Sequence, residues 1–267
     1  MNKYLSVFKI SFAQEFAYRI NFIMWRVRNV IQFLLVFFLW STVFSSREIS
    51  VLGYNRDKIL TYIFGVLVIK AIVFSARAVD VAGEISRGEL TNYLLKPISY
   101  FKYWFTRDIS SKALNLSFSV VEFLILYLLL RPTLFIQANY FNLLGFGILL
   151  FLAILLFFCI LFLVNLLALW MPESGWPLQF LFIAIIAEFL SGGIFPLDIF
   201  PQAVQNFLYL LPFPYLVFFP LQVYLGKIGT GLIIKGFFVS LGWLILLVFV
   251  IRFTWEKGLV KYSAEGR

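Results

Sequence analysis

An all-helical, polytopic membrane protein is the fold class this sequence predicts, and three observations predict it. Of 267 residues, 62% are hydrophobic and only 13% are charged, with a mean hydropathy of +0.95. No soluble core hides that share of apolar side chains. The apolar residues fall in runs of about 20, the length a helix needs to cross a bilayer core of about 30 Å. A barrel would show short alternating strands instead. The expectation is one transmembrane domain over residues 1–267 with six crossings.

Each element follows in order. Residues 1–20 place Leu5, Phe8, Phe12 and Phe16 three and four apart, with Lys3, Lys9, Gln14 and Glu15 elsewhere around the helix. That spacing predicts an amphipathic helix lying in the membrane interface. No small-residue cleavage site follows an early apolar core, so the segment does not read as a secretory signal. Span one is expected from Phe22 to Phe44, span two from Ile59 to Val79, span three from Ala113 to Leu130 and span four from Phe141 to Trp170. Span five is expected from Trp176 to Leu190, and span six from Leu232 to Ile251.

Orientation follows from the basic residues. With the N-terminus inside, fifteen Lys and Arg side chains fall on the inner side, six on the outer side, and Lys70 lies within a span. Basic residues favour the cytoplasmic face, so both termini and residues 80–107 are expected in the cytoplasm of a cell-membrane protein. The formal net charge of +9 is read the same way, as topology signal and attraction to anionic lipid rather than to nucleic acid. A lone cysteine, Cys159, has no partner for an intrachain disulfide and reads as a packing residue. Histidine is absent, which removes the commonest general base and metal ligand, and the acids, serines and cysteine show no catalytic spacing. An enzyme is therefore not expected.

The stretch SGGIFPLDIFPQAVQNFLYLLPFPYLVFFPLQVYLGK holds five of the nine prolines: Pro196, Pro201, Pro212, Pro214 and Pro220. Proline lacks a backbone donor and obstructs the preceding turn, so the stretch must break into short helices. Its apolar content is too high for a solvated loop, and broken backbone at membrane depth needs protein around it. Residues 191–221, entered through Gly192 and Gly193, are expected to form re-entrant helices on the outer side. Two further crossings are the other reading, and they would require helices through Pro212 and Pro214.

Two groups of polar residues are candidates for function. In GEISRGELTNYLLKPIS and the turn before it, Asp80, Glu84 and Arg87 are spaced four and three apart, which on a helix continuing from span two puts them on one face. Gly88 can end that helix, and Leu90, Tyr93 and Leu94, with Glu89 before them, give a second short helix an apolar face closed before Pro97. Such an element fits a groove on a soluble partner, or else a solvated loop touching headgroups. Lys70, Glu122 and Glu188 lie within spans, where charge is costly unless paired or wetted. One reading of the three is a polar patch on the substrate path; the other is a structural ion pair of Lys70 with Glu122, with Glu188, near Gly192-Gly193, the better candidate to line a cavity.

Three segments, GEISRGELTNYLLKPIS, SGGIFPLDIFPQAVQNFLYLLPFPY and WEKGLVKYSAEGR, resemble permease subunits of ABC-2 type ATP-binding-cassette transporters. The first and last look like the branch whose permeases are often encoded in pairs beside an ATPase. The resemblance implies an interfacial N-terminal helix, six spans, a cytoplasmic coupling helix between spans two and three, and re-entrant helices between five and six. It further implies cytoplasmic ATPase subunits that bind the ATP and magnesium, a second permease as a homodimer or sister heterodimer, and export. The coupling residues would be Asp80, Glu84, Arg87, Glu89, Leu90, Tyr93 and Leu94. No GxxxxGK[ST] phosphate loop occurs, so the chain is expected to bind no nucleotide or other cofactor itself. An ion-gradient-driven secondary transporter or channel using Lys70, Glu122 and Glu188 as relays is the alternative, though the two halves show no convincing repeat.

Overall fold

The computed structural model describes residues 3–17, 19–45 and 53–262. Arg47, Arg267 and the end of the C-terminal motif lie outside the described residues. The regular structure is helical throughout. In chain order it comprises α1 (Lys3–Ala17), α2 (Arg19–Val43), α3 (Arg56–Val73), α4 (Asp80–Ser86), α5 (Thr91–Leu94), α6 (Tyr100–Leu130) and α7 (Tyr140–Leu166). There follow α8 (Gly175–Phe180), a π-helical stretch (Leu181–Ala187), α9 (Glu188–Leu190), α10 (Gln202–Leu208), α11 (Phe218–Tyr224) and α12 (Thr230–Lys261).

The caps follow from the sequence. Asn55 accepts the Lys58 N–H at 2.9 Å to start α3, and Asn139 accepts the Phe141 N–H at 2.9 Å to start α7. Each satisfies a backbone donor that the first turn leaves free. Ser99 caps α6, which ends where Arg131 turns left-handed (φ 44°) before Pro132, a residue that cannot donate to a continuing helix.

Among the described residues, four helices have the length and apolarity to cross a membrane: α2 from Phe22, α6, α7 continuing to Leu169, and α12. A fifth crossing results if α3 and the Arg77–Ser86 segment, bent by 52° at a short break, count as one. The expected fifth span fares differently. Its apolar helical run is Pro177–Leu190, about 21 Å at 1.5 Å per residue and short of the bilayer core. Pro172 and Pro177 clip it at one end and Gly192-Gly193 at the other.

The core centres on α7 and α3. α7 is buried from Leu149 to Leu166 on several faces and packs against α12, α11 and α3. α6 and α12, by contrast, leave most of their apolar side chains outward, as lipid-facing helices do. Short α11 wedges into this core, with Leu221 seated against Gly65 of α3 and the Phe219 ring against Gly236 of α12. At both positions a side chain would occupy space the wedge already fills.

The proline-rich stretch alternates turns and short helices. Gly192 (φ 79°) ends α9 with its carbonyl accepting the Tyr62 hydroxyl at 2.6 Å. Pro196 and Pro201 precede the 3₁₀ turn Leu197–Ile199 and α10, while Pro212 precedes the 3₁₀ turn Phe213–Leu216 and Pro214 lies within it. The Phe218 N–H donates to Ser191 O at 2.9 Å, which ties the far end of the stretch back to its beginning.

Candidate functional site

The break after α3 is held from α6. Backbone carbonyls at a helix end need donors, and Lys112 Nζ supplies them to Val73 O at 3.0 Å and Ser75 O at 2.8 Å. One turn earlier on α6, Asp108 accepts the Arg77 N–H at 3.1 Å, and Lys112 lies 3.3 Å from its other oxygen. Both side chains are buried, so the bend rests on a buried ion pair rather than on loose chain. Arg77 then reaches Asp80 at 3.4 Å and Glu15 of α1, while Ser110 of α6 donates to Phe8 O at 3.1 Å. The bend, α1 and α6 are thereby joined into one unit.

This arrangement corrects the reading of α1. Glu15, expected on the polar side, is buried against Arg77, whereas Leu5 and Ile10 face outward. Its inward face is chosen by an ion pair, not by its phenylalanines alone.

It also corrects the coupling segment. Asp80, Glu84 and Arg87 do not share an exposed face. Glu84 is buried, with the Tyr93 and Tyr100 hydroxyls each donating to it at 3.0 Å and Arg107 at 3.8 Å. Leu90 is fully buried, Tyr93 half-buried and Asp80 partly exposed. Arg87, the C-cap of α4, keeps its N–H on Gly83 O at 3.1 Å, but Glu84 turns inward to the two tyrosines and Arg107 while the Arg87 side chain extends outward to Glu89. What the segment presents outward is Arg87 paired with Glu89 at 2.8 Å, then Leu94, Leu95, Lys96 and Pro97. Leu95 is 81% exposed, and no pattern in the residues around it singles it out. The Arg87 guanidinium holds the Glu89 carboxyl below its ordinary range. The segment is braced from behind where Ser86 Oγ donates to Pro172 O at 2.6 Å.

The intramembrane charges also pair differently from the expectation. Lys70 of α3 donates to Glu188 of α9, not to Glu122. Gln32 of α2 donates to the same Glu188 oxygen at 2.8 Å, and Arg28 stands 4.0 Å from the other. Glu122 of α6 pairs with Arg26 of α2 at 3.0 Å. Two ion pairs thus line up along α2, which sequence spacing could not show because the partners lie 96 and 118 residues apart in chain positions 26–122 and 70–188. A cavity of about 40 Å³ lies between α2 and α3, walled by Arg26, Gln32, Tyr62, Lys70 and Gly193. Glu188 reaches it only through Lys70 and Gln32.

At the opposite end a second polar cluster escaped the sequence reading. Asp198 accepts from Lys227 at 2.6 Å and from the Tyr54 hydroxyl at 3.2 Å, and Gln222 donates to Tyr54. Lys227 also stands over the Tyr54 ring. The cluster clamps the proline-rich stretch to the start of α3.

The description ABC-2 family transporter protein belongs to the family model that matches residues 30–266. The chain is a member of that ABC-2 transporter family. Comparison with individually curated proteins yields no match. The ABC-2 match begins within α2 and runs past α12, so it contains the bend, the α4–α5 segment, Lys70, Glu122, Glu188 and the proline-rich stretch. As an ABC-2 chain, it is a transport subunit in the membrane and not itself the ATPase.

Proposed function

We propose that this ABC-2 protein is the permease subunit of an exporter, paired with a second permease and driven by separate cytoplasmic ATPase subunits that hold the ATP and magnesium. The outward surface of Arg87, Glu89, Leu94 and Leu95 is the dock for that ATPase. α1 lies in the interface at residues 1–20, residues 80–107 face the cytoplasm with both termini, and residues 191–221 re-enter from the outer side of the cell membrane. The short run Pro177–Leu190, with the turns that flank it, is the fifth of six crossings in chain order.

One observation carries the reading: the docking segment is not a floppy loop. Lys112 and Asp108 fix the bend, and Arg77 fixes α1 to it, so a push on α4–α5 moves α1, α3 and α6 together. Nucleotide shifts a transporter between two states only if the ATPase contacts this segment differently in each. Bound ATP closes the ATPase pair, and the braced segment passes that movement to the spans flanking Lys70 and Glu188. Family membership favours ATP over an ion gradient as the driver, and the paired intramembrane charges read as structure beside the path.

Copurification with the ATPase tests the dock. Arg87→Glu combined with Leu95→Asp, both at exposed positions, is expected to abolish capture of the ATPase and the permease-dependent change in ATP hydrolysis. Capture and hydrolysis equal to wild type would overturn the proposal.

A further inference from the structure

A cleft of about 480 Å³ opens between the start of α6 and the second half of α12, at the end of the bundle that carries α4 and α5. Its volume is that of a small-molecule site, roughly 300–1,000 Å³. The inner wall is aromatic and aliphatic: Tyr100 stacks on Trp255 with ring centres 5.3 Å apart, and Phe162 and Val248 close the floor. At the rim stand Lys102 and Arg252, both exposed. Neither has a carboxylate within 4 Å among the described residues, although Glu256 lies one turn from Arg252.

We infer that this cleft binds one anionic phospholipid from the leaflet on the α4–α5 side, its phosphate between Lys102 and Arg252 and an acyl chain over Val248 and Phe162. Two features select a lipid over a soluble anion. The two cations lie where the apolar runs of α6 and α12 give way to charge, the level of headgroups. Beside the cleft, Ile245, Phe249 and Phe253 on α12 are exposed, so its mouth adjoins a lipid-facing surface. A free phosphate would satisfy the rim and leave the floor empty, whereas a phospholipid satisfies both. The two rim cations attract anionic lipid, and an acyl chain adds apolar burial. Tyr93 of α5 lines the same cleft while donating to Glu84, so an occupant would touch the docking segment itself. The site does not depend on the ATPase proposal.

The test uses the full chain in nanodiscs of phosphatidylcholine with increasing phosphatidylglycerol, read by lipid retention in native mass spectrometry and by thermal unfolding. Wild type is expected to retain phosphatidylglycerol over phosphatidylcholine by at least about tenfold and to unfold at higher temperature as its fraction rises. Lys102→Gln with Arg252→Gln is expected to lose that preference while unfolding like wild type in pure phosphatidylcholine. Lys257→Gln with Lys261→Gln, the same charge change outside the cleft, is expected to keep it. Val248→Trp, which fills the floor without touching charge, is expected to lose it as well, so the inference survives if the double variant folds poorly. No preference in wild type, equal loss in the Lys257/Lys261 control, or full stabilisation by inorganic phosphate in place of the lipid would each overturn the assignment.

Discussion

Glu188 gathers a lysine, a glutamine and an arginine from two helices, and an acid so placed is expensive to strip. Removing one member of a buried pair leaves the other charge uncompensated, at a cost of about 3–5 kcal/mol, whereas replacing both with apolar groups of similar size is often near neutral. Lys70→Met alone and Glu188→Leu alone are therefore expected to lower the thermal unfolding midpoint markedly, and the double variant to recover most of the loss. Additive losses in that cycle would show that the two side chains act independently. The sequence marked both residues as intramembrane charges but matched Lys70 to the wrong acid. Helical spacing ranks only neighbours on one helix, and the true partner arrives from α9, placed by the stop at Gly192. Glu84 illustrates the same limit at short range. Its spacing to Arg87 was correct, but Glu84 is claimed by Tyr93 and Tyr100, both beyond α4, and Arg87 by Glu89, partners that helical spacing does not rank.

At the scale of elements, the short α11 shows what packing adds to pattern. Proline placement predicted that residues 191–221 break into pieces, because proline forbids the continuous helix whatever surrounds it. Where the pieces sit was not legible. Gly65 and Gly236 read as ordinary glycines in apolar runs, yet they are the two seats that admit Leu221 and Phe219. Filling a seat forces the wedge out, and overpacking of this kind costs about 1–3 kcal/mol. Gly236→Leu is expected to destabilise the protein by about that amount in thermal unfolding. Gly242→Leu, on the same helix with open space around it, is expected to match wild type or exceed it, since leucine favours helix over glycine by roughly 1 kcal/mol. Equal effects at the two positions would mean that α11 is not seated as described.

Across the whole molecule, the polar groups other than the intramembrane pairs at Glu122 and Glu188 collect at two ends. α1, the bend, α4, α5 and the cleft share one end; Tyr54, Asp198, Lys227 and α10 share the other. The class of fold was legible because hydropathy survives any error in boundaries, and the orientation rests on the excess of basic residues at the first end. Single cysteines in a Cys159→Ala background test that orientation. Leu95→Cys is expected to react with an impermeant thiol reagent only in inverted vesicles, and Gln202→Cys only in intact cells. The reverse pattern would place the docking surface outside, where no ATPase could reach it. Span number was less legible than class, because the run Pro177–Leu190 is apolar enough to suggest a crossing but too short by itself to make one.

The π-helical stretch Leu181–Ala187 gives that short run a property no straight helix has. Its wider winding fits more residues into each revolution than an ordinary helix does, so it behaves like a spare tooth on a gear. Drop one residue there and the winding can tighten to an ordinary helix with little net rotation downstream, whereas the same deletion in a straight helix swings every later side chain by about 100° around the axis. Glu188 would then still face Lys70, and Gly192 would still meet the Tyr62 hydroxyl. The rotational setting of the proline-rich hairpin is thus buffered by the stretch of backbone just upstream of it.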